Sequence, residues 1–443
     1  MQNQGIRDAR SLGTPKLLVL GLQHMFAMFG ATVLVPALTG LSVSATLLFA
    51  GLGTLFFHFV TKGNVPAFLG SSFAYLAGYA AIAPNGEAAL LPYACVGVAA
   101  SGLLYLILAA LVRGFGANRV MRFFPPVVTG PIIICIGMTL ANSAINNCTG
   151  SWDIALVAIL TVVIFNIWGK GMLRIIPILL GVLVSYVYAA VTGRVDFSGV
   201  ASAAWIGLPV KMENTVFSLI GNCDVNLLVT AIIAIMPIAF ATMIEHIGDI
   251  CAISSTVGAN FIADPGLHRT LLGDGLATSI ASLFGAPANT TYGENTGVLA
   301  LTRVYDPLVI RLAAVYAIIA SFCPKFAALV SAMPTGTIGG VSLILYGMIS
   351  AIGVRNLVEN RVDLAKSRNV IVVSLIISLA LGITFSAAGA ITFHVGEFTL
   401  NFSGLAVAAI VGIVVNAILP GKDYDFQNDY EYGKTTEDHG QML

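Results

Sequence analysis

Long apolar stretches recur along the whole 443-residue chain, and they constrain the fold more than any other feature of the sequence. Hydrophobic residues make up 57% of the chain and charged residues only 9%, whereas soluble domains carry about 25% charged residues. A soluble fold of this composition would lack the polar surface needed to cover it. We therefore expect an all-α polytopic membrane protein, because a helix satisfies its own backbone hydrogen bonds inside the bilayer.

A helix needs about 20 mostly apolar residues to cross a bilayer. By this rule the sequence predicts about fourteen transmembrane segments, several of them too short for a plain spanning helix. They are Leu17–Leu38, Ala45–Thr61, Ala67–Ala83, Leu91–Val112, Val127–Ala144, Ile154–Trp168, Leu173–Val191, Leu227–Ile247, Leu271–Phe284, Thr291–Leu301, Leu308–Phe322, Ile338–Ile352, Val370–Ile383 and Phe402–Leu419.

The basic residues support this count. Of the 21 Lys and Arg residues, the predicted outer segments hold only Arg194, Lys211 and Lys325, Arg311 falls within a span, and the rest fall in inner segments. Positive charge is enriched on the cytoplasmic side of membrane proteins. We therefore expect a multi-pass protein of the cell membrane with both termini in the cytoplasm.

The two halves of the sequence resemble each other. Seven segments per half give the halves opposite orientations, which indicates an inverted repeat. The matching positions are Gly130 with Gly340, Gly137 with Gly347, and Pro66–Tyr75 with Pro287–Glu294. The expected divisions are a cytoplasmic N-terminus at 1–16, a first repeat at 17–195, an extracytoplasmic connector at 196–225, a second repeat at 226–420 and a cytoplasmic tail at 421–443.

Acidic side chains within predicted spans are candidate functional groups, because an ionisable group is costly inside a bilayer. Glu245 and Asp249 are four residues apart, so a helix places both carboxylates on one face. Such a pair can take up and release a proton near neutral pH, although Asp249 also fits a helix end that faces water. Asp274 lies near the inner end of a predicted span, where we expect it to tune conformation.

Glu294 lies in a short polar span that follows Pro287. Irregular backbone at membrane depth is tolerated only where protein or a water-filled cavity satisfies it. Interrupted segments at matching places in two repeats point to the binding site of a transporter. Glu294 can accept a hydrogen bond from a ligand N–H there, and Phe73 or Tyr292 can flank a flat ring. A purely structural re-entrant loop is the alternative.

Other classes of protein lack support. The six cysteines are scattered without a C-x-x-C pair, so no metal site is expected. The sequence has no phosphate-binding loop, zincin motif or nucleophile elbow. The net charge of zero gives no sign of a nucleic-acid partner. We expect neither an enzyme nor a cofactor other than a coupling proton.

Four motifs resemble the nucleobase–ascorbate transporter family over about Leu17 to Pro420. They are Gln23–Pro36, Gly70–Tyr75, Glu245–Asp249, and Asn289–Gly297 continuing to Thr302 and Arg303. The resemblance implies fourteen spans in a seven-plus-seven inverted repeat, with short extended stretches in segments 3 and 10. Segments 1–4 and 8–11 would form a core domain and segments 5–7 and 12–14 a gate domain, in a homodimer.

The resemblance also implies a substrate site between the extended stretches, formed by Phe73, Glu245, Tyr292, Gly293, Glu294 and Tyr346. The two glutamates would accept the ring N–H groups of uracil, backbone N–H groups near Phe73 and Gly293 would bind its carbonyls, and the two tyrosines would line the pocket. Glu245, Asp249 and Asp274 would couple uptake to protons during an elevator-like movement.

One position departs from the uracil pattern. The best-known uracil carriers have histidine where this chain has Asp249, and purine carriers often have aspartate there. Purine carriers usually have glutamine where this chain has Glu294. We therefore expect uracil, with a purine such as xanthine as the alternative. An anion transporter or a channel is more remote; apart from Arg174 at an inner end, the basic residue predicted within a span is Arg311, against several acids.

Overall fold

The computed structural model is mostly helical and describes residues 5–221, 223–395 and 398–421. The side chains of Ala31, Met172, Ile175, Glu294 and residues 394–401 lie outside the described part. The first four residues and most of the tail expected at 421–443 also lie outside it.

The first half contains nine α-helices and one short strand, β1 (Leu69–Ser71), which continues through a 3-10 turn into the third helix. The helices are α1 (Thr14–Thr39), α2 (Val43–Val60), α3 (Leu76–Ile82), α4 (Leu91–Phe115), α5 (Ala117–Met121), α6 (Pro126–Cys148), α7 (Trp152–Trp168), α8 (Met172–Ile175) and α9 (Pro177–Val191). The described part of the connector adds α10 (Ser198–Ser202) and two 3-10 turns.

The second half has the same plan, with strand β2 (Asn289–Thr291) leading into a short helix. Its helices are α11 (Val225–Ile235), α12 (Ala239–Val257), α13 (Leu267–Leu283), α14 (Gly293–Thr302), α15 (Pro307–Ser321), α16 (Pro324–Ser331), α17 (Thr335–Glu359), α18 (Ser367–Thr384) and α19 (Gly404–Ile418). An antiparallel hairpin, β3 (Ala390–Val395) and β4 (Phe398–Ser403), separates the last two helices.

Helix lengths agree with a polytopic membrane protein. Seven described helices are long and apolar enough to cross a bilayer: α1, α2, α4, α6, the run α11–α12, α17 and α18. The pair α15 and α16 passes only when taken together and bends by 87°. The shorter apolar helices are 73–82, α7, α9 and α19. Each of the fourteen predicted segments contains a helix, and the all-α fold is confirmed; the number of full crossings stays a prediction.

Local signals set several helix ends. The Ser42 hydroxyl accepts a hydrogen bond from the Ala45 N–H and caps α2, and the Asp224 carboxylate caps α11 in the same way. Such caps satisfy N–H groups that have no partner within the helix. At its other end, α12 stops at Gly258, whose φ of 69° is left-handed and suits glycine.

The helices pack in two groups. In one group α2 packs on α13 and α15, α4 packs on α11 and α13, and α1 packs on α15. In the other group α6 packs on α17 and α18, α7 packs on α9 and α17, and α18 packs on α19. Exchanging the two halves converts most of these pairs into one another: α2 on α15 becomes α13 on α4, and α7 on α9 becomes α18 on α19. The packing thus has the pattern expected of two equivalent repeats.

Glycines allow the closest approach in the second group. A Cβ atom at Gly130 on α6 would lie 3.1 Å from the carbonyl oxygen of Gly353, and one at Gly353 on α17 would lie 2.6 Å from that of Gly130. Small residues at such crossings let two helix backbones touch in a membrane. Gly340 similarly abuts Ala155. Gly130 and Gly340, which match in the sequence, therefore both lie at helix contacts.

Candidate functional site

Two strands from opposite halves of the chain cross at the centre of the first packing group. β1 and β2 are antiparallel, with Gly70 opposite Thr290. Backbone bonds from Tyr292 N–H to the Phe68 oxygen and from Ser72 N–H to the Ala288 oxygen, both 3.0 Å, extend the pairing beyond the strands. The extended stretches expected in segments 3 and 10 are present, and their backbone groups form hydrogen bonds with each other.

A threonine from a neighbouring helix holds each strand from its outer side. In this register the backbone groups of Leu69 and Asn289 point away from the partner strand. The Thr54 hydroxyl on α2 accepts from the Leu69 N–H at 2.9 Å and lies 3.2 Å from its carbonyl oxygen. The Thr278 hydroxyl on α13 makes the same two contacts with Asn289, at 3.3 and 2.9 Å. The backbone of both strands is thus fixed to helices of the first packing group.

Tyr292 connects the second half of the chain to the first. A Cβ atom at Gly70 would lie 2.6 Å from the Tyr292 ring, so the ring packs directly on β1. The Tyr292 hydroxyl donates to the Ser71 carbonyl oxygen at 2.8 Å and accepts from the Thr32 hydroxyl at 3.2 Å. This hydroxyl therefore joins β1 to α1, and the expected contact of the ring with a ligand stays a prediction.

Phe73 and Tyr346 bring the two packing groups together beside the strands. Phe73 follows β1, whereas Tyr346 lies on α17 in the other group, and both rings are buried. Their ring centroids are 5.7 Å apart in an edge-to-face arrangement. The Tyr346 hydroxyl makes no hydrogen bond of standard geometry among the described residues, and the Ser342 side chain on the same helix is its near neighbour.

Glu245 and Asp249 lie on one side of α12, next to β2. Both are partly exposed, whereas His246 and Ile247 between them are buried, as expected for residues one helical turn apart. Asp249 Oδ2 accepts a hydrogen bond from the Thr291 hydroxyl at 3.1 Å. The interpretation of Asp249 as a helix-end cap is wrong, because α12 continues to Val257.

Gly293 is the first residue of α14, so the open N–H groups of that helix start directly after β2. Among the described residues that are not its chain neighbours, a Cβ atom at Gly293 would meet Asp249 Oδ1, at 3.5 Å. This space can accept a ligand whose carbonyl groups bind the N–H groups. Glu294 is the next residue of α14; its side chain lies outside the described part, so its expected contact with substrate stays a prediction.

Asp274 is deeper than the sequence suggested. α13 begins at Leu267, before the expected Leu271, and this places Asp274 within the helix rather than near its end. Its side chain is fully buried, with Oδ2 at 3.4 Å from Nδ1 of a fully buried His246. The Thr291 hydroxyl lies 3.2 Å from the same Nδ1. Sequence reasoning missed the contact of Thr291 with this buried pair.

Arg311 is directed away from the strands. Its Nε donates to His58 Nδ1 at 3.3 Å, and its guanidinium also donates to the Gly63 carbonyl oxygen at 3.3 Å. His58 Nε2 donates to the Ala67 carbonyl oxygen at 2.9 Å, because its other nitrogen must accept from the arginine. Arg311 thus fastens the loop before β1.

Comparison with known proteins agrees with this architecture. The Permease family, as defined by its Xan_ur_permease sequence profile, matches residues 15–389. The chain is 42% identical to the uracil permease of Bacillus caldolyticus, with 96% of each chain covered. It is 37% identical to the uracil permease of Escherichia coli strain K12, over 90% of each chain.

Solved structures show the same fold at low sequence identity. The transmembrane domain of the cyanobacterial bicarbonate transporter BicA has a TM-score of 0.61 and 12% identity, with 94% of this chain and 100% of that chain covered. SLC26A9 has a TM-score of 0.67 and 11% identity, with 92% and 66% covered. The family match over most of the chain shows that this multi-pass membrane protein is a member of the nucleobase–ascorbate transporter family of permeases.

Proposed function

We propose that this protein takes up uracil together with a proton across the cytoplasmic membrane. The observation that carries the proposal is the space at the start of α14, bounded by Gly293 and Asp249. It combines open backbone N–H groups for carbonyl oxygens with carboxylates for ring N–H groups. Uracil carries both kinds of group on one flat ring. The named uracil permeases among its relatives support the same substrate.

In this proposal Glu245 and Glu294 accept the ring N–H groups, while backbone N–H groups near Phe73 and Gly293 bind the carbonyl oxygens. The edge-to-face pair of Phe73 and Tyr346 closes one side of the pocket. The Tyr292 ring lines the pocket together with the Tyr346 ring. Protonation of Glu245 and Asp249, with Asp274 behind them, couples uptake to the proton gradient.

The movement that we propose is elevator-like. The group containing β1 and β2 forms the core, and the group containing α6, α7, α9, α17, α18 and α19 forms the gate. Threonines fix both strands to core helices, which supports movement of the ligand space together with the core. The proposed boundaries are those expected from the sequence, with both termini cytoplasmic and the protein in a homodimer.

Purine transport is the second candidate, and Asp249 is the observation that favours it. Its carboxylate lies beside Gly293 at the ligand space, where it can accept an N–H of a larger ring. Anion transport receives no support from Arg311, whose contacts are with His58 and Gly63.

Uptake by proteoliposomes tests the proposal. Labelled uracil should accumulate when the outside is more acidic than the inside, and Glu245→Gln should abolish accumulation because the side chain loses its charge and its proton. Glu213→Gln in the connector is the matched control, since Glu213 is exposed and distant in sequence; it should transport like the unaltered protein. Full accumulation by a folded Glu245→Gln protein would exclude the assigned role.

A further inference from the structure

A line of polar contacts leads from the ligand space into the protein interior. It runs from Asp249 on α12 to Thr291 on β2, back to His246 on α12, and on to Asp274 on α13. Successive nitrogen or oxygen atoms are 3.1, 3.2 and 3.4 Å apart. We propose that Thr291 and His246 form a relay that transfers the charge of a proton bound at Asp249 to Asp274. This inference rests on the proposed proton-coupled uptake.

The inner end of this line is shielded from water. His246 and Asp274 are both fully buried. The rings of Phe57 and Tyr105 each lie 6.4 Å from the His246 ring, edge to face. A charge in such surroundings is stable only beside an opposite charge or a hydrogen-bond donor.

Asp274 has few sources of compensation. Among the described residues, neither of its carboxylate oxygens has a hydrogen-bond partner that meets standard geometry, and a basic side chain reaches it at His246 Nδ1, 3.4 Å from Oδ2. The titratable groups that face His246 are Asp274 from α13 and Tyr105 from α4, together with Glu245 and Asp249 from its own helix. A carboxylate at Asp274 is therefore balanced by a protonated His246.

The hydrogen bonds define the resting direction of the relay. The Thr291 hydroxyl donates to Asp249, so its oxygen must accept the Nδ1 proton of His246. The proposed resting state has Asp249 and Asp274 ionised and His246 protonated on both ring nitrogens, with a net charge of −1.

Binding of one added proton reverses the direction of the hydrogen bonds along this line. A proton from the ligand space binds Asp249, whose new O–H donates to the Thr291 oxygen. The Thr291 O–H turns to His246 Nδ1, and the proton of that nitrogen moves to Asp274 Oδ2. His246 remains neutral with a proton on Nε2, both carboxyl groups are neutral, and the net charge rises by one. No other group is consumed.

This reversal acts on the ligand space because Thr291 belongs to β2. It precedes Tyr292 and Gly293, which form the edge of the space. While Asp249 is ionised, a charge-assisted hydrogen bond connects β2 to α12, and such bonds are about twice as strong as neutral ones. Protonation replaces it with a weaker bond. Uracil binding and proton binding are thereby linked through one hydroxyl group.

Thr291→Val tests the relay, because it keeps the shape of the side chain and removes the hydroxyl. Purified protein is placed in liposomes that contain a pH-sensitive dye, and two quantities are measured: uracil exchange without a gradient, and proton entry per uracil taken up. We expect Thr291→Val to retain exchange, to bind uracil no more than about tenfold more weakly, and to lose uracil-driven proton entry. Thr291→Ser, which restores the hydroxyl, should recover it.

Two further variants keep the test decisive. Asp274→Asn should also lose proton entry, which covers the case in which Thr291→Val does not fold. Thr161→Val removes a buried hydroxyl that bonds only within α7 and should behave like the unaltered protein. Wild-type proton entry per uracil in either Thr291→Val or Asp274→Asn would overturn the relay. Uracil uptake without proton entry in the unaltered protein would instead overturn the proposed coupling itself.

Discussion

Phe73 and Tyr346 meet edge to face with their ring centroids 5.7 Å apart, and this contact joins two groups of helices that otherwise pack mainly within themselves. Phe73 follows β1 in the first packing group, and Tyr346 lies on α17 in the second. A ligand at the start of α14 would therefore lie where the two groups meet. An elevator movement would have to separate or rebuild this contact in each cycle.

Tyr346→Phe should weaken uracil binding without weakening the fold. The Tyr346 hydroxyl is buried and makes no hydrogen bond of standard geometry among the described residues, with only the Ser342 side chain beside it, so its removal should cost the empty protein little. A lost bond to the ligand is worth about 1 kcal/mol, or about fivefold in affinity. Calorimetric titration and thermal unfolding of the same preparation measure both effects. An unchanged affinity would place this hydroxyl outside the binding site.

Tyr292→Phe, in contrast, should lower the stability of the protein even without uracil. Its hydroxyl bonds to the Ser71 carbonyl oxygen and to Thr32, so the variant disconnects β1 from α1. Leaving these buried groups without a partner costs about 1–3 kcal/mol. We expect a lower unfolding temperature already without uracil. Unaltered thermal stability would show that the bond to Ser71 contributes nothing.

Thr54→Val and Thr278→Val should each loosen one strand. Both changes keep the side-chain shape but leave a backbone N–H and a carbonyl oxygen of Leu69 or Asn289 without a partner. Each should lower stability by about 1–3 kcal/mol. Serine at either position keeps the hydroxyl and is the matched control. Equal unfolding temperatures for the valine and serine variants would contradict the role of the hydroxyls.

Gly53→Ala on α2 should displace the first residue of β2. The added Cβ would lie 2.0 Å from Asn289 Nδ2, which donates to the Phe49 carbonyl oxygen. Asn289 must then leave its position at the end of β2, and uracil affinity should fall. Gly382→Ala on α18 is the control, because no atom of the described residues lies within 4 Å of its Cβ position. Equal uracil affinity in both variants would show that β2 tolerates the displacement.

The sequence predicted the elements of the site better than their contacts. The repeated breaks at Pro66–Tyr75 and Pro287–Glu294 identified both strands, because proline and polar residues interrupt otherwise apolar runs. It did not predict the register of β1 and β2, which depends on residues more than 200 positions apart. The hydroxyl contacts of Thr54, Thr278 and Thr291 were missed for the same reason, since a threonine in an apolar run gives no local signal.

Hydropathy also gave the wrong length for some helices and missed some short elements. α12 extends to Val257, beyond the expected end at Ile247, because Glu245, Asp249 and the residues after them lower the apolar character of a helix that faces protein. The hairpin of β3 and β4 and the eight-residue helix α16 were not predicted. These elements are shorter than a spanning segment, and a search for spans does not detect them.

The measurement that tests the central claim most directly is equilibrium binding of labelled uracil to the purified protein, with competition by unlabelled uracil, xanthine and sulfate. The account predicts saturable binding that excess uracil displaces and that equal concentrations of xanthine or sulfate leave in place. It also predicts loss of binding in Glu245→Ala and retention in Glu213→Gln. Absence of saturable uracil binding, or stronger displacement by xanthine than by uracil, would contradict it.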